Sequence, residues 1–121
     1  MKDAIDLYHT LTVKVPIETR QGVHTLPASS VITVEAVGHK VLIHTTMRDF
    51  ESVRNMQYYL NLLPKNCFFQ THRSFIVNFE HVTDFDHSLI HMAGGQFQAY
   101  LTKRKYTAFK EAYLLYLEST R

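Results

Sequence analysis

The sequence predicts a mainly β domain with short helices, in which antiparallel strands are accompanied by one inner helix and one C-terminal helix. Apolar and polar residues alternate with a period of two over much of the chain, beginning with residues 7–15, as expected for half-buried strands. Residues 47–63 instead place apolar residues three or four apart, and residues 102–119 also have a helical pattern. Because helices do not alternate with strands, an antiparallel arrangement is favoured over parallel βαβ units.

The chain length suits one hydrophobic core, with 121 residues of which 45% are hydrophobic. There is no internal repeat or low-complexity linker, so we expect a single domain over residues 1–121. No apolar run approaches the roughly 18 residues of a membrane span, and the charged start is not a secretory signal. These features predict a soluble, cytoplasmic protein without membrane insertion.

The N-terminal third is predicted to contain four strands. Residues 7–15 form the first, residues 16–22 read as a turn because they contain a proline, charges and a glycine, and residues 24–26 return as a short strand. Residues 31–36 and 40–45 are β-branched and apolar and read as a hairpin, in which Gly38 supplies the unusual backbone angle and His39 lies at the tip.

The inner helix is predicted over Met47–Leu63, with Thr46 and Asp49 as an imperfect N-terminal cap and Pro64 as its end. A polar segment, residues 70–74, then interrupts an apolar stretch. Residues 82–85 and 88–92 can pair, and a turn at residues 93–95 leads to a strand over residues 97–101. From Thr102 the chain is predicted to be helical to about Ser119.

Catalytic and metal chemistry find little support in the sequence. Cys67 is the single cysteine, and Ser74 lacks the context of a catalytic nucleophile. His87 and His91 would share a strand face, but no third ligand stands at a recognised distance. We therefore expect no enzyme activity, no metal and no cofactor. The net charge of +2 permits nucleic-acid binding without requiring it.

Two basic features have alternative interpretations. Lys103, Arg104 and Lys105 fall at the predicted start of the last helix, where cations oppose the helix dipole, so they either attract a DNA phosphate or form a solvated cluster. Arg73, between His72 and Ser74, is either a structural ion-pair partner or a planar donor for guanine O6 and N7. Spacing alone does not decide between these.

Residues 68–78 resemble the signature of the LytTR family of bacterial DNA-binding domains, in which an aromatic residue is followed by His-Arg-Ser, an apolar triplet and Asn. Residues 26–35 resemble the family's proline, polar link and strand ending in Glu. Gly95 and residues 100–106 resemble its closing glycine, apolar strand and basic segment, in which Thr102 and Lys103 replace the usual serine and arginine. The resemblance extends over about residues 7–106.

The resemblance implies an elongated arrangement of small antiparallel sheets whose loops enter successive DNA major grooves. The family's base-contacting positions fall on His39, Arg73 and Arg104. We expect the neighbouring lysines to contact phosphates and three polar residues of the signature to support the loop. The phosphate set is Lys40, Lys103 and Lys105; the supporting set is His72, Ser74 and Asn78.

The expected function is therefore sequence-specific binding of double-stranded DNA, at promoter direct repeats or paired half-sites, by a transcription regulator. The alternative is an interaction module of the same fold that modulates a DNA-binding relative. Most members of the family carry a receiver domain ahead of this one, and only about six residues precede the first predicted strand. The chain is therefore either a stand-alone form, controlled by abundance or a regulatory protein partner, which we expect, or a domain excised from a longer protein.

The last helix carries more apolar surface than docking requires. One stripe suffices to pack it on the sheet: Tyr106, Phe109, Tyr113 and Tyr116. Leu114, Leu115 and Leu117 lie outside this stripe, and either the domain covers them or they form the face of a homodimer.

Overall fold

The structure, a computed structural model, describes residues 13–120. These residues form three antiparallel sheets and two α-helices, joined by turns. A two-stranded ribbon comes first: β1 (Lys14–Thr19) and β2 (Gly22–Pro27). A sheet of five strands follows: β3 (Val31–Val37), β4 (Lys40–Thr45), β5 (Asp49–Ser52), β6 (Phe68–His72) and β7 (Phe75–Asn78). A sheet of three strands completes the β structure: β8 (Val82–Phe85), β9 (Leu89–Met92) and β10 (Phe97–Tyr100). The helices are α1 (Met56–Leu62) and α2 (Tyr106–Ser119).

The predicted fold class, mainly β with short helices, is confirmed. The strand order is β5-β4-β3-β7-β6 in the five-stranded sheet and β10-β9-β8 in the three-stranded sheet. The β3–β4 hairpin forms as predicted, and Gly38 adopts φ +61°, a left-handed conformation that side chains with a Cβ rarely adopt. No helix within the described residues is long and apolar enough to span a bilayer.

The first strand extends further than the sequence predicted. The predicted segment up to residue 12 lies outside the described residues, and β1 continues through Pro16, where we expected a turn. Pro16 is opposite Thr25 in a ribbon of only two strands, where a missing N–H on the unpaired side of the ladder costs little. The turn is consequently reduced to the residues between Thr19 and Gly22.

The prediction of one helix from Met47 to Leu63 is wrong in its first half. Residues 49–52 form β5, which pairs with β4 and buries Phe50 and Ser52. Asn55, rather than Thr46 or Asp49, caps α1, because its Oδ1 accepts a hydrogen bond from the Tyr58 N–H at 3.0 Å. The spacing of apolar residues was misleading because Val53, which connects Phe50 of β5 to the apolar residues of α1 in that pattern, is 57% exposed and faces solvent.

The last helix also begins later than predicted. Residues 103–105 form a 3₁₀ turn, and the α-helix starts at Tyr106. The side chain of Thr102 makes no cap hydrogen bond, and its Oγ1 is buried without a hydrogen-bond partner among the described residues. The three cations therefore precede α2 instead of occupying its first turn. Repulsion by the helix dipole is thus a weaker reason to expect a bound phosphate at this position.

Packing of α2 uses the predicted aromatic stripe. Phe109 is fully buried and Tyr116 nearly so, while Tyr106 and Tyr113 are partly buried. Phe109 makes an edge-on contact with Phe85 of β8, with ring centroids 5.0 Å apart. These contacts fix the start of α2, and the basic turn before it, relative to the sheets.

Candidate nucleic-acid interface

Three connections lie at the same end of the five-stranded sheet. They are residues 38–40, 73–74 and 102–105, and we call this end of the sheet the turn end. The first joins β3 to β4 and the second joins β6 to β7. Because β3 pairs with β7, with Glu35 opposite Phe75, the two turns emerge on the same side. Their centres are separated by two strand spacings, or about 10 Å.

Hydrogen bonds attach two of the three connections to neighbouring strands. The Ala36 N–H, near the end of β3, donates to the Ser74 carbonyl at 2.9 Å. The Thr102 N–H donates to the Thr71 carbonyl at 3.0 Å, and the Thr71 hydroxyl donates to the Tyr100 carbonyl at 2.8 Å. The Arg73 turn is therefore anchored to β3, and the basic turn, residues 102–105, is anchored to β6.

The structure brings the three predicted base-contacting residues to this surface, one on each connection. His39, Arg73 and Arg104 are all exposed, and none of them takes part in an ion pair among the described residues. An arginine without an internal carboxylate partner keeps its planar set of donors available to a ligand. This arrangement disfavours the structural ion pair that was the alternative interpretation of Arg73.

The three predicted phosphate contacts differ in their surroundings. Lys103 is exposed, and Lys40 lies 3.7 Å from Glu51 in an exposed pair of the kind that contributes little to stability. Lys105 is partly buried, and its Nζ donates to the Gln70 carbonyl at 3.1 Å. Partial burial, followed by the nearby charge of Arg104, lowers the pKa of Lys105. Lys105 thus holds the basic turn against β6, which leaves it less available to a phosphate.

The support of the Arg73 turn comes from His72 and from the Ser74 main chain. The Ser74 N–H donates to the His72 Nδ1 at 3.0 Å, while the Ser74 carbonyl accepts the bond from Ala36. The His72 ring also lies 6.0 Å from the rings of Phe75 and Tyr100. The turn is consequently fixed on both sides of Arg73.

Asn78 supports a different part of the molecule from the one we predicted. It lies at the far end of β7, where its Nδ2 donates to the Val31 carbonyl at 2.8 Å and its Oδ1 accepts from the Glu80 N–H at 3.0 Å. Within the described residues it makes no hydrogen bond to the Arg73 turn. Its role is to fix the start of β3 and the turn after β7.

Tyr100 is a turn-end residue that sequence reasoning did not single out. Its side chain is 60% exposed, although its ring contacts Phe75 edge-on at 5.6 Å. The alternation along β10 contained the signal, since Ala99 and Leu101 are buried on one face and Tyr100 therefore faces outward. This exposed aromatic ring, which also lies 6.0 Å from the His72 ring, adds apolar contact area to the surface.

The outer face of α2 is a second exposed feature, on the other side of the helix from the aromatic stripe. Leu114, Leu115 and Leu117 are 49%, 64% and 38% exposed. Leu114 and Leu115 form a shallow groove flanked by Glu111 and Glu118. The described residues do not cover these leucines.

Comparisons with known proteins agree on one family. A family model described as LytTr DNA-binding domain matches residues 21–114. The sensory transduction protein LytR of Staphylococcus epidermidis is 31% identical over 72 residues, covering 60% of this chain and 29% of that protein. The transcriptional regulatory protein NatR of Bacillus subtilis is 26% identical over 109 residues, covering 86% of this chain and 47% of that protein. The chain thus spans less than half the length of these curated relatives.

A solved structure agrees as well. The LytTr DNA-binding domain of a Bacillus cereus protein described as a methyl-accepting/DNA response regulator superposes with a TM-score of 0.68 at 28% sequence identity. The match covers 84% of this chain and 95% of that one.

Proposed function

The chain belongs to the LytTR family of DNA-binding domains, and on that premise we propose that it binds double-stranded DNA sequence-specifically and regulates transcription. The family is one of DNA-binding domains rather than enzymes. The observation that supports the proposal best is the turn end itself, where each of three connections at one end of the same sheet carries one exposed candidate for a base contact.

His39, Arg73 and Arg104 are the proposed base contacts. Arginine donates two hydrogen bonds to guanine O6 and N7 in the major groove, and histidine donates or accepts at a base edge according to its protonation. A loop carries one such side chain into a groove, so three loops can read separated positions along the duplex. No recognition helix is required.

Lys103 and Lys40 are the proposed phosphate contacts. The Lys40 ammonium is 3.7 Å from Glu51, and an exposed pair of that kind is readily exchanged for a phosphate. Lys105 has a supporting role because it holds the basic turn against the Gln70 carbonyl. The phosphate contacts position the surface, while the base contacts provide selectivity.

Selection of bound duplexes from a random DNA pool, followed by affinity measurement across salt concentrations, tests the proposal. We expect a defined sequence to be enriched and the logarithm of its binding constant to fall linearly with the logarithm of salt concentration. Failure to enrich any sequence, together with no salt-sensitive binding to any duplex, would contradict it.

The exposed leucines of α2 favour a second candidate, an interaction role for this fold. A symmetric dimer through Leu114, Leu115 and Leu117 would match paired half-sites related by the same two-fold axis, and the same face would suit a regulatory protein partner. An interaction module that had lost DNA binding would show self-association or partner binding without salt-sensitive binding to DNA.

Sedimentation at tens of micromolar distinguishes the oligomeric states. We expect the wild type to be a dimer and Leu115→Glu to be a folded monomer that binds a single half-site almost normally but a paired site weakly. Thr107→Glu is the matched control, because it places the same charge on an exposed position of the same helix. A wild type that remains monomeric, both free and on a paired site, would exclude the dimer.

A further inference from the structure

The β1–β2 hairpin reaches the turn end at the margin formed by β5. The Val53 N–H, immediately after β5, donates to the Glu18 carbonyl at 2.9 Å. Ser52, the last residue of β5, lies opposite Val41 of β4, next to the His39 turn. The tip of the hairpin, residues 19–22, is therefore directed to the same end of the molecule as the three connections described above.

The hairpin tip has a defined conformation. The Thr19 hydroxyl donates to the Gly22 carbonyl at 3.0 Å and accepts from the Gln21 N–H at 3.2 Å. Gly22 has φ +129°, where a residue with a Cβ would be strained. Arg20 is thus presented from a fixed turn, which lowers the entropy lost when its side chain engages a ligand.

Near the hairpin tip, Arg20 is a cation without an ion-pair partner among the described residues. The Arg54 Nε lies 2.8 Å from the Glu18 Oε2, and Arg54 also stacks over the Tyr58 ring. The Glu18 carboxylate thus has a cationic partner, whereas Arg20 is exposed and belongs to none of the ion pairs among residues 13–120.

We propose that Arg20 binds a DNA backbone phosphate, making the β1–β2 hairpin a fourth DNA-contacting segment. This inference rests on the proposed DNA binding of the turn end. β5 and β6 are the two margins of the five-stranded sheet, separated by four strand spacings, or about 19 Å. That separation exceeds the width of a B-DNA major groove, about 12 Å, so the hairpin beside β5 and the basic turn beside β6 cannot occupy the same groove.

A backbone contact fits the hairpin better than base reading does. The tip offers one flexible cation on a two-residue turn, and a phosphate accepts such a donor regardless of sequence. Arg20 would then extend the bound length of DNA on the side of the His39 turn, away from Arg104. The flank next to the hairpin would be needed for full affinity but would carry no sequence preference.

The test compares Arg20→Gln with two matched variants on the duplex that the wild type selects and on a random duplex of equal length. Arg20→Lys keeps the charge. Lys65→Gln removes an exposed cation just before β6, at the other end of the sheet. We expect Arg20→Gln to weaken binding about five-fold on both duplexes and to reduce the magnitude of the salt slope by about one unit, with both controls close to wild type.

Shortening the selected duplex on the flank next to the hairpin provides the second measurement. We expect the wild type to lose about five-fold on the shortened duplex, and Arg20→Gln to lose nothing further, because both changes remove the same contact. A salt slope for Arg20→Gln equal to that of the wild type would overturn the inference while leaving the proposed function intact. Absence of salt-sensitive binding by the wild type would overturn both.

Discussion

The two ends of the five-stranded sheet use similar polar residues in different ways. At the turn end, His39, Arg73 and Arg104 are exposed, and none of them takes part in an ion pair of the described residues. At the opposite end, formed by residues 28–30, 45–49 and 78–81, polar side chains are occupied by the fold. The buried Asn78 binds Val31 and Glu80, and the His81 Nε2 donates to the Ser29 carbonyl at 2.6 Å.

His44 makes the contrast clearer. Its ring lies between two carboxylates, with Nε2 2.9 Å from the Glu35 Oε1 and Nδ1 2.9 Å from the Asp49 Oδ1, and it packs against Phe97. His39, five residues earlier, has none of these neighbours among the described residues. Residue type alone therefore does not indicate a binding role; an exposed side chain whose hydrogen-bonding groups are not used by the fold does.

We expect replacement of Asn78, at the opposite end, to reduce the stability of the protein strongly without changing its preference among DNA sequences. Asn78→Ala leaves the buried Val31 carbonyl without its partner, at a cost of about 1–3 kcal/mol, and removes the side-chain cap on the Glu80 N–H, which costs about 1 kcal/mol. We expect the free energy of unfolding in urea to fall by about 3 kcal/mol, while protein that remains folded keeps its preference for the selected duplex. Loss of that preference at unchanged stability would mean that the two ends are not separate in function.

The pH dependence of stability tests whether the opposite end, where the Phe79 N–H donates to the Cys67 carbonyl at 2.8 Å, is sealed from water. Burial, and then the nearby charge of Glu80, raises the pKa of the Cys67 thiol to about 11. The unfolded chain ionises this thiol near its usual value, at lower pH than the folded protein does. Stability should therefore fall as pH rises from about 9 to 11, by an amount on the order of 2 kcal/mol.

The measurement is the difference between the wild type and Cys67→Ala, because burial also raises the pKa of Tyr59, Tyr113 and Tyr116 and these groups act in the same direction. We expect the variant to be less sensitive to alkaline pH. Parallel stability curves, with rapid reaction of Cys67 with a thiol reagent at pH 8, would show that this region is open.

At the turn end, we expect the effects to be confined to binding. Arg104→Ala should cost about 2 kcal/mol on the selected duplex and less on a random duplex, because a lost bidentate contact to guanine removes discrimination as well as charge. The free energy of unfolding should change by no more than about 0.5 kcal/mol, since Arg104 is exposed. A stability loss larger than the binding loss would place Arg104 with the structural residues.

We expect replacement of Lys103, in the same turn, to have a smaller effect than replacement of Arg104, because the proposed contact of Lys103 is with a phosphate and not with a base. Lys103→Gln should weaken binding about equally on all duplexes and reduce the salt slope by about one unit. Lys110→Gln is the control, because it removes an exposed cation from α2, beyond the basic turn. If Lys103→Gln leaves the slope unchanged, the cation belongs to a solvated cluster.

Local sequence patterns predicted the hairpins and failed where two elements met. Gly38 and the β-branched runs on either side were sufficient for the β3–β4 hairpin, because the turn and both strands are encoded within fifteen residues. The sequence did not reveal the strand β5, because its inward-facing Phe50 continues the three- to four-residue spacing of apolar residues that leads into α1. Pro16 had the opposite effect: it indicated a turn, yet a two-stranded ribbon tolerates a proline.

The sequence predicted which residues belong to the candidate site, but not that they lie at the same end of one sheet. The resemblance identified His39, Arg73 and Arg104, but their common location depends on the pairing of β3 with β7 and on the bond from Thr102 to Thr71, contacts between residues far apart in the chain. The same long-range pairing assigned Asn78 to the opposite end. Arg20 had no local signal, because its importance comes from where Val53 holds the hairpin.

Arg73→Ala tests whether the turn end reads DNA sequence. The measurement is the ratio of affinities for the selected and random duplexes, with unfolding free energy measured on the same samples. We predict that this ratio falls by the equivalent of about 1–3 kcal/mol while stability stays within about 0.5 kcal/mol of the wild type. An unchanged ratio, with both affinities weakened equally, would contradict base reading by Arg73 and leave it as a phosphate contact.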